Sequence, residues 1–160
     1  MAKYSVSGAL SSTAQNLSSS YKTIVAVFAT TAVSAASCRR IKIYDLMLGT
    51  DGTPADNAIV WDVSRQTADG TATTVTPLPL DPADSAMLGV AKVHYSAEGT
   101  ITAASDVFNV GVNQRASYRW VAAPGSELVG PATHAAGFAL RAKSPGYTST
   151  VTAALLVEEQ

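Results

Sequence analysis

One cysteine in 160 residues, Cys38, excludes a disulfide within the chain, so stability has to come from a packed core. Charge is scarce as well. Charged side chains are 14 % of the chain, 11 basic against 12 acidic, for a net charge of −1. That leaves no broad basic surface to hold nucleic-acid phosphates or an anionic membrane. No run of about 18 apolar residues occurs, the length a membrane-crossing helix needs. Helical periodicity is hard to find anywhere. What the chain does have is small side chains: Ala, Ser and Thr make up 62 of 160 residues. A chain of this length buries roughly 70 % of its unfolded surface, enough for one self-sufficient domain.

Residues 22–38 order their composition like an export signal: Lys22, a mostly apolar run to Val33, then small residues up to Cys38. Twenty-one residues precede that lysine, most of residues 1–20 are polar, and threonines interrupt the run. Thr, Val and Ile equally suit a half-buried strand followed by a Ser/Ala loop, and we expect that strand. Asn16-Leu17-Ser18 fits a glycosylation sequon, which carries weight only with an export signal.

Period-2 alternation recurs along the chain. Ile59, Trp61 and Val63 share one face, with Asp62 and Ser64 on the other; Phe108, Val110 and Val112 repeat the pattern, as do Tyr118, Trp120 and Ala122. Strands are expected at residues 23–28, 40–48, 59–65, 73–76, 90–95, 100–104, 107–112, 117–122, 137–141 and 149–157. The breaks carry turn residues: Gly49-Thr50-Asp51-Gly52, Asp69-Gly70, Glu98-Gly99, Pro124-Gly125 and Pro145-Gly146. Asp-Gly suits a tight hairpin because Gly accepts positive φ. Pro77, Pro79 and Pro82 keep their segment out of a central strand, and Asp81 can cap one short helical turn beginning at Pro82. The fold class is therefore all-β, a β-sandwich of eight to ten strands, with a jelly roll the expected form. Residues 1–20 are expected to be a flexible N-terminal arm or a short edge strand around residues 4–6, and residues 21–160 a single sandwich domain.

No catalytic constellation follows from these residues. Cys38 with His94 or His134 would need a fold-imposed approach and a third, orienting group. Arg39 and Arg40 could lower the Cys38 thiol pKa, but a small residue at a strand entrance is the simpler role. Two histidines forty residues apart and one cysteine make a poor zinc set. No Gly-x-Ser-x-Gly elbow, P-loop or dinucleotide fingerprint is present. Asp51, Asp56 and Asp69 fall at turns and Asp62 on a polar strand face, without calcium-loop spacing. Arg115 and Arg119 alternate with Tyr118 and Trp120, so the cations and the rings fall on opposite faces and form no joint nucleic-acid platform. We therefore expect no enzyme activity, no catalytic, cofactor-binding or metal-binding residues, and no cofactor.

Three stretches taken together have a familiar order: residues 52–58 (Gly52-Thr53-Pro54-Ala55-Asp56-Asn57-Ala58), residues 79–84 (Pro79-Leu80-Asp81-Pro82-Ala83-Asp84), and residues 113–128, running from Asn113-Gln114-Arg115 through Tyr118-Arg119-Trp120 to Glu127-Leu128 and ending near Pro131-Ala132-Thr133. In this order and spacing the chain resembles small virion proteins of tailed bacteriophages, of the capsid decoration (cement) type, from about Lys42 to the C-terminus. The resemblance implies a jelly-roll or related sandwich, usually a homotrimer, on the outside of a head built by a major capsid protein. It implies no nucleic-acid or membrane partner, and synthesis in the host cytoplasm before joining the virion. It carries no catalytic residues. Residues 1–20 would then lie on a neighbouring subunit or on the shell. Two other readings compete. One is a receptor- or glycan-binding sandwich of a phage tail or fibre, with Tyr44, Tyr95 and Tyr147 as the aromatic platform. The other is a single jelly-roll shell protein that closes a lattice by itself.

Overall fold

The alternation in the sequence becomes two antiparallel sheets in a computed structural model, which describes residues 1–8, 15–30, 38–144 and 148–160. The strands are β1 (Lys3–Ser7), β2 (Gln15–Asn16), β3 (Lys22–Phe28), β4 (Ile41–Asp51), β5 (Ala58–Ala68), β6 (Thr71–Val75), β7 (Leu78–Pro79), β8 (Val90–Ala97), β9 (Thr100–Asn113), β10 (Tyr118–Val121), β11 (Leu128–Val129), β12 (Gly137–Lys143) and β13 (Thr150–Glu159). Three of these have two residues; the other ten have four or more. One sheet runs β10-β4-β13-β1-β7, with β11 beside β4 and β2 beside β13, and the other runs β6-β8-β3-β12-β5-β9.

The sheets pack face to face. Val6, Ile43, Leu46, Leu155 and Val157 of the first meet Val25, Val27, Trp61, Val63 and Leu140 of the second, all at most 1 % exposed. Inward residues alternate with outward ones, as packed sheets require. The fold is an all-β sandwich; the jelly-roll form remains an expectation.

Residues 1–20 are in part strand. Tyr4 and Val6 are buried, and β1 lies one position in from the sheet edge, between β13 and β7. The proline-rich run supplies the edge strand β7, where a missing N–H costs no ladder bond. After it, Ala83 N–H donates to Asp81 Oδ1 (2.9 Å) and Asp84 N–H to Asp81 O (3.0 Å), so the expected helical turn is a single capped turn.

Asp69-Gly70 and Glu98-Gly99 do not make hairpins. β5 does not pair with β6, nor β8 with β9; instead β5 pairs with β9 and β6 with β8. Register runs from Ala58↔Asn113 to Ala68↔Thr100 and resumes at Thr71↔Ala97, so residues 58–75 and 90–113 form one long ribbon folded at a corner. The two halves flank β3 and β12 in the same sheet. Here glycine serves close approach rather than positive φ. A Cβ on Gly70 would lie 2.2 Å from Ala97 O, and one on Gly99 would lie 2.6 Å from Ala68 O. Positive φ occurs instead at Gly52 (79°) and Gly125 (84°). Pro124-Gly125 forms a type II turn closed by Ser126 N–H to Ala123 O at 2.8 Å.

The bent ribbon explains a second departure. Residues 23–28 are buried throughout rather than on one face, because a small outer core of Ala26, Phe28, Tyr95 and Ala139 forms with Ala72, Val90 and Ile101 of the ribbon. Glu98 fastens the corner by accepting from Thr23 N–H at 3.0 Å and from the Thr23 hydroxyl. Asp69 pairs with Lys92 and accepts from the Tyr95 hydroxyl at 3.4 Å. The Gly49–Gly52 break also shifts: β4 continues through Asp51. Pro145-Gly146 lies outside the described residues.

Candidate functional site

The sequence candidates for chemistry are dispersed. Half-buried Cys38 leads into β4 of one sheet, His94 lies on β8 of the other, and His134 sits in the loop before β12. Among the described residues no three His, Cys, Asp or Glu side chains are grouped to hold a metal ion. Asp51 and Asp69 each accept from the following glycine N–H, at 2.7 and 2.8 Å, as turn aspartates do. Asp56 accepts from Asn113 Nδ2 at 2.6 Å.

Asp62 is on the outer strand face but is buried. Arg141 bridges it at 2.9 Å and also donates to Ser64 at 2.8 Å, with the Tyr21 ring 4.6 Å from the guanidinium. Arg119 and the rings of Tyr118 and Trp120 fall on opposite faces of β10. Arg115 is not on that strand; its N–H donates to Asn113 Oδ1 at 2.9 Å in the preceding turn. Phe108 joins both rings at 6.0 Å between centroids, linking the edge strands of the two sheets.

Tyr44 and Tyr95 do not form an exposed platform. Tyr95, on β8 of the ribbon, is buried in the small outer core, and burial, followed by the Asp69 carboxylate, pushes its phenol above the ordinary value. Tyr44 is half-buried with Lys3 Nζ 5.0 Å above its ring. Tyr147 lies outside the described residues.

A polar hollow of about 250 Å³ opens between Asp51, Thr53, Asn57, Gln114 and Thr150. Gln114 is 4 % exposed there; its Oε1 accepts from Ala55 N–H at 2.9 Å, while its Nε2 has no partner. This is a place for a water or a single acceptor oxygen. It holds no acid–base pair.

The more unusual surface is the outer face of the seven-stranded sheet. Directly paired residues share a face, so register places Leu78, Ser5, Leu156, Asp45 and Val121 in one row. Ser7, Ala154, Met47 and Arg119 form the next. A bulge opposite Leu156/Val157 turns Tyr44 outward beside Asp45. Leu78 (53 %), Val121 (56 %) and Met47 (42 %) are exposed on this face. In their midst the Asp45 carboxylate is buried and accepts from Arg119 Nε at 3.0 and 3.2 Å. That bond, and then the charge of Asp45, raise the Arg119 pKa. A shallow hollow of about 200 Å³, lined by Ser7, Met47, Gly49, Thr152 and Ala154, adjoins the patch.

The outer face of a free sandwich is normally polar, and exposed apolar side chains gathered around a buried ion pair suit a contact surface for a protein, a membrane or a ligand. Alternation hides this face, because a strand with one buried side is expected to be polar on the other. The signal lies in Leu46-Met47-Leu48 and Leu155-Leu156-Val157, where consecutive apolar residues replace alternation. Compared with known proteins, the chain matches no family model, no curated protein and no solved structure.

Proposed function

We propose that this protein is a structural virion component, a decoration protein that binds the outer surface of a phage head and stabilises it. The resemblance of residues 52–58, 79–84 and 113–128 suggests the class. The observation that carries it furthest is the apolar outer face around Met47, Leu78, Val121 and Leu156, which suits protein-on-protein attachment better than solvent. A jelly-roll form and assembly as a homotrimer belong to the same proposal. Several copies binding together would hold the shell by avidity, each contact being modest.

The test is add-back to heads lacking the protein. Wild-type protein should co-sediment with such heads, and M47D/V121D should not, while both keep the same circular dichroism and melting temperature. Equal binding by the variant would remove this face from the contact. Failure of the wild type to bind, with self-assembly into closed shells or binding on a glycan array, would favour a shell protein or a receptor-binding sandwich.

A further inference from the structure

The free edge of β9 is the longest unguarded backbone edge among the described residues. Edge strands are normally protected by shortness, proline, lysine or a bulge. β7 is two residues with Pro79, β10 is four residues with Arg119, and β6 is five. β9 has fourteen residues, and its bulges begin at Val107, between Phe108 and Asp106, and continue opposite residues 64–68. Residues 108–113 are regular, with no proline and no charge.

The ladder's phase follows from one bond. Gln114 N–H donates to Asn57 O at 2.8 Å, and antiparallel partners alternate between bonded and non-bonded pairs. Phe108, Val110 and Val112 therefore direct their backbone groups at β5. Asn109 and Gly111 direct theirs away, into solvent, and both residues are exposed. Inward on the same strand, Phe108, Val110 and Val112 are only half-buried against the core, along with Tyr118 and Trp120 of the facing edge.

We propose that this edge pairs with the same edge of a second copy, antiparallel and two-fold about Val110. That register sets Val110 against Val110, Phe108 against Val112 and Asn109 against Gly111. No charged residue lies in the paired stretch. The space above Gly111, where a Cβ would find nothing within 4 Å, receives the Asn109 side chain of the other copy. Pairing satisfies the outward N–H and C=O groups, joins two six-stranded sheets into one, and covers the half-buried row behind the edge. The inference is independent of the decoration reading.

Residue-resolved amide hydrogen exchange, with native mass, tests it at about 5 and about 500 µM, since association follows mass action. The comparison is V107K/G111K, which sets lysines along the edge. In the wild type at the higher concentration, the amides of residues 109 and 111 should exchange at least about tenfold more slowly than in the variant, and the mass should be an even number of chains. The amides of 108, 110 and 112, bonded within the chain, should be slow in both proteins and report folding. Fast outward amides in the wild type at both concentrations overturn the pairing, whether or not the variant folds. A trimer with fast outward amides overturns it too, while leaving the decoration reading intact.

Discussion

Gly70→Ala examines the folded ribbon at its tightest point. The added Cβ would stand 2.2 Å from Ala97 O, 2.7 Å from Glu98 C and 2.7 Å from Gly99 N. All three are backbone atoms, so no side chain can swing aside, and the corner itself has to open by about 1 Å to restore van der Waals contact. Overpacking of this kind costs about 1–3 kcal/mol. The alanine also restricts the unfolded chain, which offsets about 0.4–1 kcal/mol. The net destabilisation is then about 1–2 kcal/mol. Gly111→Ala, at a dilution where the β9 edge is unpaired, is the internal control: its Cβ meets nothing within 4 Å of the same chain, so only the unfolded-state effect remains and the variant should gain about 0.4–1 kcal/mol. The two variants should differ by about 2 kcal/mol, or about 30-fold in the unfolding constant. Urea titration followed by tryptophan fluorescence measures this, with an unchanged slope showing that the unfolded state is the same. If Gly70→Ala is as stable as the wild type, residues 69–70 and 98–99 do not approach as described, and the ribbon is not folded there.

Removing Arg141 alone leaves the buried Asp62 carboxylate uncompensated, so Arg141→Leu should cost about 3–5 kcal/mol, while D62L/R141L should recover most of that loss; thermal melts of both decide. Tyr95 has its pKa raised by burial and by Asp69, so its contribution is fully present below the ordinary phenol pKa of 10.0 and is lost as pH climbs beyond it. Wild-type stability should therefore fall relative to Tyr95→Phe as pH rises above about 10; a constant difference across that range would contradict the burial argument.

Much of the fold was legible because the strands with one buried face write that face into their alternation. Ile59-Val60-Trp61-Asp62-Val63 and Phe108-Asn109-Val110-Gly111-Val112 are strands with the predicted side inward. What failed was connectivity. Asp69-Gly70 carries the same letters whether its flanking strands pair with each other or with residues sixteen or more positions away, and only tertiary crowding distinguishes a hairpin from a corner. Strand β3 misled for a related reason: Thr23 and Ala26 look compatible with solvent, but the ribbon passes over them. Asp62 looked like a surface residue because burial of a carboxylate depends on an arginine partner from another strand, here Arg141; Asp45, on which the alternation was silent, is buried against Arg119 in the same way. The apolar outer face was written in Leu46-Met47-Leu48, but its width emerged only when β1, β4, β7, β10 and β13 were set side by side.

Cryo-electron microscopy of heads incubated with the purified protein addresses the central proposal most directly. Density for the sandwich on the exterior of a shell built by a different, larger protein, with the Met47–Val121 face turned toward that shell, is the predicted result. Heads that stay bare at saturating protein, or density in which this chain alone forms the shell, would contradict it.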